Sequence, residues 1–325
     1  MSNVPTPLQQ PNRADWLGWG LVALIGGSGP AAISFAIQEA PSAAIAGVRV
    51  WLAAIILTVY AVSTGRPMPG LGTSEGRHVW LYAAAAGFCG YALPFTLFPI
   101  AMQEVSSILA GIMMASVPVL TVVFAALFAG EPMTRRSLAG VIMGALGVMI
   151  LMGPAAFDNV SGSLRGQLLL LIACLGYASM GIVMRRAPEF PARSFTAAMM
   201  VCAALMSTPW ALSSGLEGIT AKGWMAMIYL GVMPTGITAI AIVAVVRRAG
   251  AGFLSTSAYL APVVATVLGM VLFGEPLLIN QVIGLATILI GITLTRGAFA
   301  HFQKAIWPRI VVTAFPKRKT RSPER

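Results

Sequence analysis

The sequence predicts an all-α integral membrane protein of ten transmembrane helices, arranged as two inverted five-helix repeats. Three observations carry this: a composition too apolar for a water-soluble domain, ten apolar stretches of spanning length, and a self-similarity between the two halves of the chain.

The chain is 58 % hydrophobic and 10 % charged, whereas a soluble domain has about 45–50 % apolar and about 25 % charged residues. A helix rises roughly 1.5 Å per residue, so a hydrocarbon core about 30 Å thick takes about 20 apolar residues. Cutting the chain at charged or Pro/Gly-rich breaks leaves spans at 16–37, 42–62, 79–100, 105–129, 136–153, 165–184, 194–213, 222–246, 250–273 and 279–296. The joining segments are short, which excludes a separate soluble domain between spans. The polar, Pro-rich start with its single Arg13 leads into an apolar run too long for a signal-peptide core, so that run reads as the first span.

A net charge of +11 would ordinarily raise nucleic-acid binding. The placement of the charge decides otherwise. Of the 21 Lys and Arg, Arg49 lies within a span and only Arg165 and Lys222 lie on one side; all others fall on alternate connections and the two termini. By the positive-inside rule this predicts a multi-pass protein of the plasma (bacterial inner) membrane with both termini cytoplasmic. Cys89, Cys174 and Cys202 fall within spans, where free Cys behaves as a small hydrophobe. Their odd number and the lack of a CxxC give neither a disulfide framework nor a metal site.

Sliding the chain on itself aligns Gly130-Glu131-Pro132 with Gly274-Glu275-Pro276, and the same offset places Trp80, Gly87 and Pro118 on Trp224, Gly231 and Pro262. The offset also pairs Gly140 and Gly147 with Gly284 and Gly291. Two homologous halves follow. Because each half holds five spans, the second runs upside down relative to the first. The two Gly-Glu-Pro turns then face opposite sides of the membrane. That explains why Arg135 and Arg136 follow the first while Leu278, Ile279 and Asn280 follow the second. Inverted repeats are a device of secondary transporters, which place the substrate site at the repeat interface and rock one half against the other. The expected organisation is a cytoplasmic tail over 1–15, a first repeat over 16–153, a second over 154–297, and a basic amphipathic tail over 298–325 on the anionic leaflet.

The stretches SILAGIMMASVPVLTVVFAALFAGEPM and FLSTSAYLAPVVATVLGMVLFGEPLLIN, each followed by a glycine-spaced helix, resemble the paired EamA domains of the drug/metabolite transporter superfamily. The resemblance covers roughly residues 16–297. It implies an exporter of amino acids, other metabolites or toxic compounds, with helices 1, 3, 4, 6, 8 and 9 walling a central cavity. The sequence departs from the family at Ala261, where an acidic residue is common, and at Gly27-Ser28-Gly29-Pro30, where an aromatic residue and an Asn are common.

Proline inside a spanning helix frees a backbone carbonyl, tolerated only where a neighbour or a wet cavity re-satisfies it. Pro30, Pro94, Pro118, Pro234 and Pro262 fall in five of the six implied wall helices and, with Gly87 and Gly231, are candidate hinges. The polar residues of the wall helices are candidate substrate contacts: Ser28, Ser34, Gln38, Tyr91, Ser116, Tyr177, Ser179, Thr235, Thr238, Ser257 and Tyr259. Tyr91 and Thr235 occupy equivalent repeat positions. For each of these residues the competing role is helix packing or a bond to its own backbone. Arg49 is the full charge set well inside a span; Glu39 or Glu104 is the expected ion-pair partner, with a substrate carboxylate as the alternative. Glu131 and Glu275 are expected to accept hydrogen bonds at the start of the helix that follows each turn.

The only histidines, His78 and His301, lie at interfaces, and neither an HExxH nor a G-x-S-x-G motif is present, so a membrane-embedded enzyme is the weaker alternative. A GxxxxGK[ST] phosphate loop is absent, which excludes an ATP-driven pump of that type. A lipid-scrambling or structural membrane protein is the remaining alternative. The reading is a secondary transporter, more outward than inward, for amino acids, their derivatives or amphiphilic compounds. The expected partners are that small molecule, the lipid bilayer and a second copy of the chain as a homodimer. No cofactor and no metal are expected.

Overall fold

In a computed structural model the chain is a bundle of helices, described over residues 11–66, 68–130, 132–152 and 163–296. Glu131 and the basic segment 298–325 lie outside the described residues, and with them the readings made for both.

Among the described residues nine helices are long and apolar enough to cross a membrane: α1 Arg13–Ala36, α2 Ser42–Ser63, α3 Ser74–Ala101, α4 Ser107–Phe128, α5 Arg135–Met152, α6 Leu164–Arg186, α7 Ala192–Ser213, α8 Ala221–Gly250 and α9 Thr256–Phe273. A tenth, α10 Ile279–Arg296, is apolar over Ile279–Thr295. The expected spans are recovered with their ends adjusted by local chemistry. α3 begins at Ser74 rather than 79, because Thr73 caps a polar first turn by accepting a hydrogen bond from the Gly76 N–H at 3.1 Å. α8 continues past 246 to Gly250, whose φ of 88° ends the helix.

Each of the five prolines expected as hinges sits beside a break, whereas Pro99 and Pro209 lie inside regular helix. α1 is interrupted at Ser28, just before Pro30. α3 carries a π-helical turn over Phe88–Ala92 ahead of Pro94, and α8 carries its repeat equivalent over Val232–Ile237, around Pro234. A 3₁₀ turn at Met114–Ser116 precedes Pro118, and another at Ser255–Tyr259 precedes Pro262. The turn glycines Gly130 and Gly274 have φ of 67° and 62°, a region that favours glycine, and Gly274 closes α9 by donating to the Met270 carbonyl.

The connections alternate between two faces. On one, the glutamate face, Glu39 in the α1–α2 turn accepts from Thr220 before α8, and Glu104 before α4 accepts from Ser163 and Arg165 at the start of α6. On the other, the arginine face, Asp15 at the start of α1 pairs with Arg248 near the end of α8. Ser194 of α7 there bonds the Arg66 carbonyl after α2.

Repeat-related helices pair at close range. α5 and α10 meet through glycines: a Cβ on Gly140 would lie 2.6 Å from the Gly291 carbonyl oxygen, and one on Gly147 2.9 Å from that of Gly284. α2 and α7 meet where Gly47 faces the Ala211 methyl, and the Trp51 indole donates to Thr208 at 2.9 Å. α4 and α9 meet through Gly111 against Ala265 and Gly269 against Ile108. In lipid, small residues of this kind let backbones approach and gain dispersion contact. The large apolar side chains point outward instead, among them Leu17, Val59, Leu81, Met149, Leu212 and Val271.

Candidate functional site

Between the two repeats lies a cavity of about 420 Å³, within the size range of small-molecule sites. Its wall comes from α1, α3, α4, α6, α8 and α9, as the family resemblance implies, with one addition from α2, Arg49. Most of the wall is apolar. The polar side chains in it are Arg49, Tyr91, Tyr177, Thr235, Thr238 and Ser257.

The π-turns explain why Tyr91 and Thr235 reach the cavity. A π-turn widens the helix by one residue and leaves carbonyls without their usual i+4 partner. In α8 two threonine hydroxyls take up that slack: Thr235 donates to Leu230 at 2.7 Å and Thr238 to Met233 at 3.0 Å, each five residues back. With its proton committed to Leu230, Thr235 Oγ1 is an acceptor toward the cavity. Arg49 Nε donates to it at 2.9 Å. The guanidinium carbon Cζ also lies over the Phe95 ring, 3.6 Å from its centroid, a contact worth about 2 kcal/mol when desolvated.

This corrects the expected pairing of Arg49 with Glu39 or Glu104. Both carboxylates lie on the glutamate face, where Thr220, Ser163 and Arg165 satisfy them without leaving the interface. Arg49 sits two turns into α2, 7 % exposed, and faces inward. The expected role of Glu275 is corrected as well. It does not cap α10, whose Leu278 N–H is taken by the Gln281 side chain at 3.1 Å. Glu275 instead accepts from the Ser107 and Ile108 N–H groups and the Ser107 hydroxyl, all at 2.9 Å, at the start of α4 in the other repeat.

Six expected contacts fall outside the cavity wall. Gln38 lies beyond the end of α1, exposed in the turn to α2. Ser34 and Ser116 are buried on other sides of their helices, Ser116 beside the Cys174 thiol. Ser179 bonds back to the Leu175 carbonyl at 2.8 Å, and the Tyr259 hydroxyl is buried and unpartnered. Ser28, also expected there, bonds the Ile25 carbonyl and Tyr229 Oη. Of the expected hinges, Pro30, Pro118, Pro234 and Pro262 line the cavity, while Pro94 is buried beside it. Gly87 and Gly231 are close-packing positions: a Cβ would lie 2.3 Å from the Met199 carbonyl oxygen at Gly87 and 3.0 Å from that of Arg49 at Gly231.

The EamA-like transporter family model matches residues 16–153 and 164–297, one repeat each. The chain belongs to that family. The uncharacterized inner membrane transporter YedA of Escherichia coli strain K12 is 28 % identical over 297 residues, covering 90 % of this chain and 94 % of its own. The aromatic amino acid exporter YddG of Ancylobacter novellus is 25 % identical over 204 residues, covering 61 % of this chain and 70 % of its own. A crystal structure of a protein at 20 % identity superposes with a TM-score of 0.61, covering 87 % of this chain and 96 % of its own, a likeness of fold.

This EamA transporter is held in one asymmetric arrangement. At the glutamate face Glu275 ties the α9–α10 turn to α4, and the lining residues Ile33, Phe98 and Gly111 are buried. Toward the arginine face the lining residues are less covered: Val117, Pro118 and Met180 are half-buried and Ile242 is exposed. The cavity is therefore closed at the glutamate face and opens toward the other. Sequence reasoning missed Phe95 and Phe98 as shapers of the site. Their type is ordinary for a membrane helix, and only the neighbours brought in by the fold distinguish them.

Proposed function

We propose that the protein is a secondary transporter that moves small metabolites outward across a bacterial inner membrane by alternating access, with the arginine face and both termini in the cytoplasm. The observation that carries this reading is a cavity shared by two inverted repeats, closed at one face and open toward the other, with the repeat-equivalent residues Tyr91 and Thr235 in its wall. Alternating access then consists of releasing the contacts of the glutamate face while closing α4 on α9 at the arginine face. The concentration of Lys and Arg on one set of connections supports the orientation. The relative named an inner membrane transporter supports the compartment, and the one named an aromatic amino acid exporter supports the direction and a substrate among amino acids, their derivatives and amphiphilic compounds.

The test compares extracellular metabolites of cells expressing the wild type, a Tyr91→Ala/Thr235→Ala double variant at matched membrane levels, and an empty vector. A compound enriched outside only with the wild type is the expected result. Equal profiles in all three, with the protein correctly inserted, would remove export from the reading.

A further inference from the structure

Arg49 is a cation in the cavity wall that faces no anion among the described residues. Its Nε is satisfied by Thr235 and its Cζ lies over the Phe95 ring, which leaves the Nη edge as the part of the guanidinium still able to donate. Among the described residues no Asp or Glu lines the cavity. The carboxylates that could reach it from the ends of the helices are engaged elsewhere: Glu39 with Thr220, Glu104 with Ser163 and Arg165, Glu275 with the start of α4, and Asp15 with Arg248. A charge taken out of water is costly unless paired, and a guanidinium pairs best with a planar two-oxygen anion through parallel N–H···O bonds. The rest of the wall offers no counter-charge for a second ionic group and presents an apolar body, with Ile33, Phe98, Met114 and Met180 in it.

We propose that Arg49 is the recognition group for the carboxylate of a monoanionic substrate with an aromatic or bulky apolar body. The inference rests on the transport reading above. The charge count decides the class. A monocarboxylate neutralises the cavity, a cation repels Arg49, and a zwitterion brings an ammonium group for which the wall holds no carboxylate. A multiply charged anion leaves unpaired negative charge in a low-dielectric space. The cavity thus suits acylated amino acids and aryl-alkyl carboxylates over free amino acids.

The test uses four probes that share a benzyl body: N-acetylphenylalanine (anion), phenylalanine (zwitterion), phenylalaninamide (cation) and N-acetylphenylalaninamide (neutral). The full chain is reconstituted in phosphatidylethanolamine–phosphatidylglycerol vesicles, and counterflow of each labelled probe is measured for the wild type, Arg49→Gln, Arg49→Lys and Thr235→Val. Each variant is admitted only with a monodisperse gel-filtration profile in detergent. N-acetylphenylalanine is expected to exchange about tenfold or more faster than the other three, to lose about that factor in Arg49→Gln, and to be partly retained in Arg49→Lys, which keeps the charge without the fork. Thr235→Val, which leaves the guanidinium but removes its orienting acceptor, is expected to fall between. Equal or faster exchange of phenylalanine or phenylalaninamide, or wild-type exchange of the anion by Arg49→Gln, would overturn the proposal and leave the transport reading standing. Exchange of none of the four would overturn the proposal together with the transport reading for this chemical class.

Discussion

Glu275 of the second repeat accepts both the amide and the hydroxyl proton of Ser107 at the start of α4 in the first, each at 2.9 Å. The first N–H groups of a helix have no partner inside it, and the helix dipole favours a negative charge there. With Ser106 taking the Leu109 N–H at 3.1 Å, the buried start of α4 is satisfied.

Replacing Glu275 by Ala strands two buried amides, so the variant is expected to lose about 2–3 kcal/mol of stability. Glu275→Gln, which still accepts but without the charge, should lose about half of that. Thermal unfolding in detergent, followed by tryptophan fluorescence, checks the order. A midpoint equal to the wild type for Glu275→Ala would show that the cap contributes nothing.

The close glycines give a second expectation. Gly87→Ala drives a methyl into the Met199 carbonyl, a rigid backbone atom, whereas Gly29 has nothing within 4 Å of a Cβ. Gly87→Ala is expected to cost about 1–3 kcal/mol as α3 and α7 are forced apart. Gly29→Ala should unfold at the wild-type temperature or slightly above it, since alanine is the better helix former. Equal midpoints for the two would remove packing as the role of Gly87.

Phe95 supports Arg49 through its ring face. Phe95→Leu keeps the apolar volume near that of the wild type but removes the π-face, so about 1–2 kcal/mol of stability should be lost. Phe95→Tyr should retain most of it. If Leu and Tyr behave alike, the ring acts by volume and not by its face.

Asp15 joins two roles. One carboxylate oxygen accepts the Asn12 N–H at 3.0 Å in a capping box, and the other faces Arg248 Nε at 3.0 Å. Arg248 is 44 % exposed, so its attraction is screened and contributes at most about 1 kcal/mol. Removing the Asp15 side chain also loses its bond from the Asn12 N–H, about 1 kcal/mol, while Asn12 still caps the helix through the residue-15 N–H. Asp15→Ala is therefore expected to destabilise more than Arg248→Ala, and a reversed order in the same melting assay would place the ion pair above the cap.

Much of the architecture was legible in the sequence because a membrane constrains it so strongly. The spans, the inversion and the breaks beside Pro30, Pro94, Pro118, Pro234 and Pro262 each follow from local rules on length, charge and missing N–H groups. The site was legible only in part. Tyr91, Tyr177, Thr235, Thr238 and Ser257 line the cavity and Ser34, Ser116, Ser179 and Tyr259 do not, because a hydroxyl in an apolar helix says nothing about which way it points. Arg49 stood out by its cost, but its partners did not. Thr235 lies 186 residues away, and its acceptor role depends on a π-turn that no periodicity announces. The reach of Glu275 to α4 was likewise hidden, since a turn residue reads locally as a cap for its own next helix.

The glycine seam between α5 and α10 fits its own inverted copy: Gly147 approaches the Gly284 carbonyl, Gly284 that of Gly147, and Gly140 and Gly291 do the same in return. A surface with that property does not require two different genes. A single five-helix unit, inserted into the bilayer in both orientations, would already possess the face needed to dimerise. Joined in one chain, the two halves keep this shared face while each holds residues its twin lacks, as Arg49 illustrates: a Cβ on Gly231 meets the Arg49 carbonyl where one on Gly87 meets that of Met199.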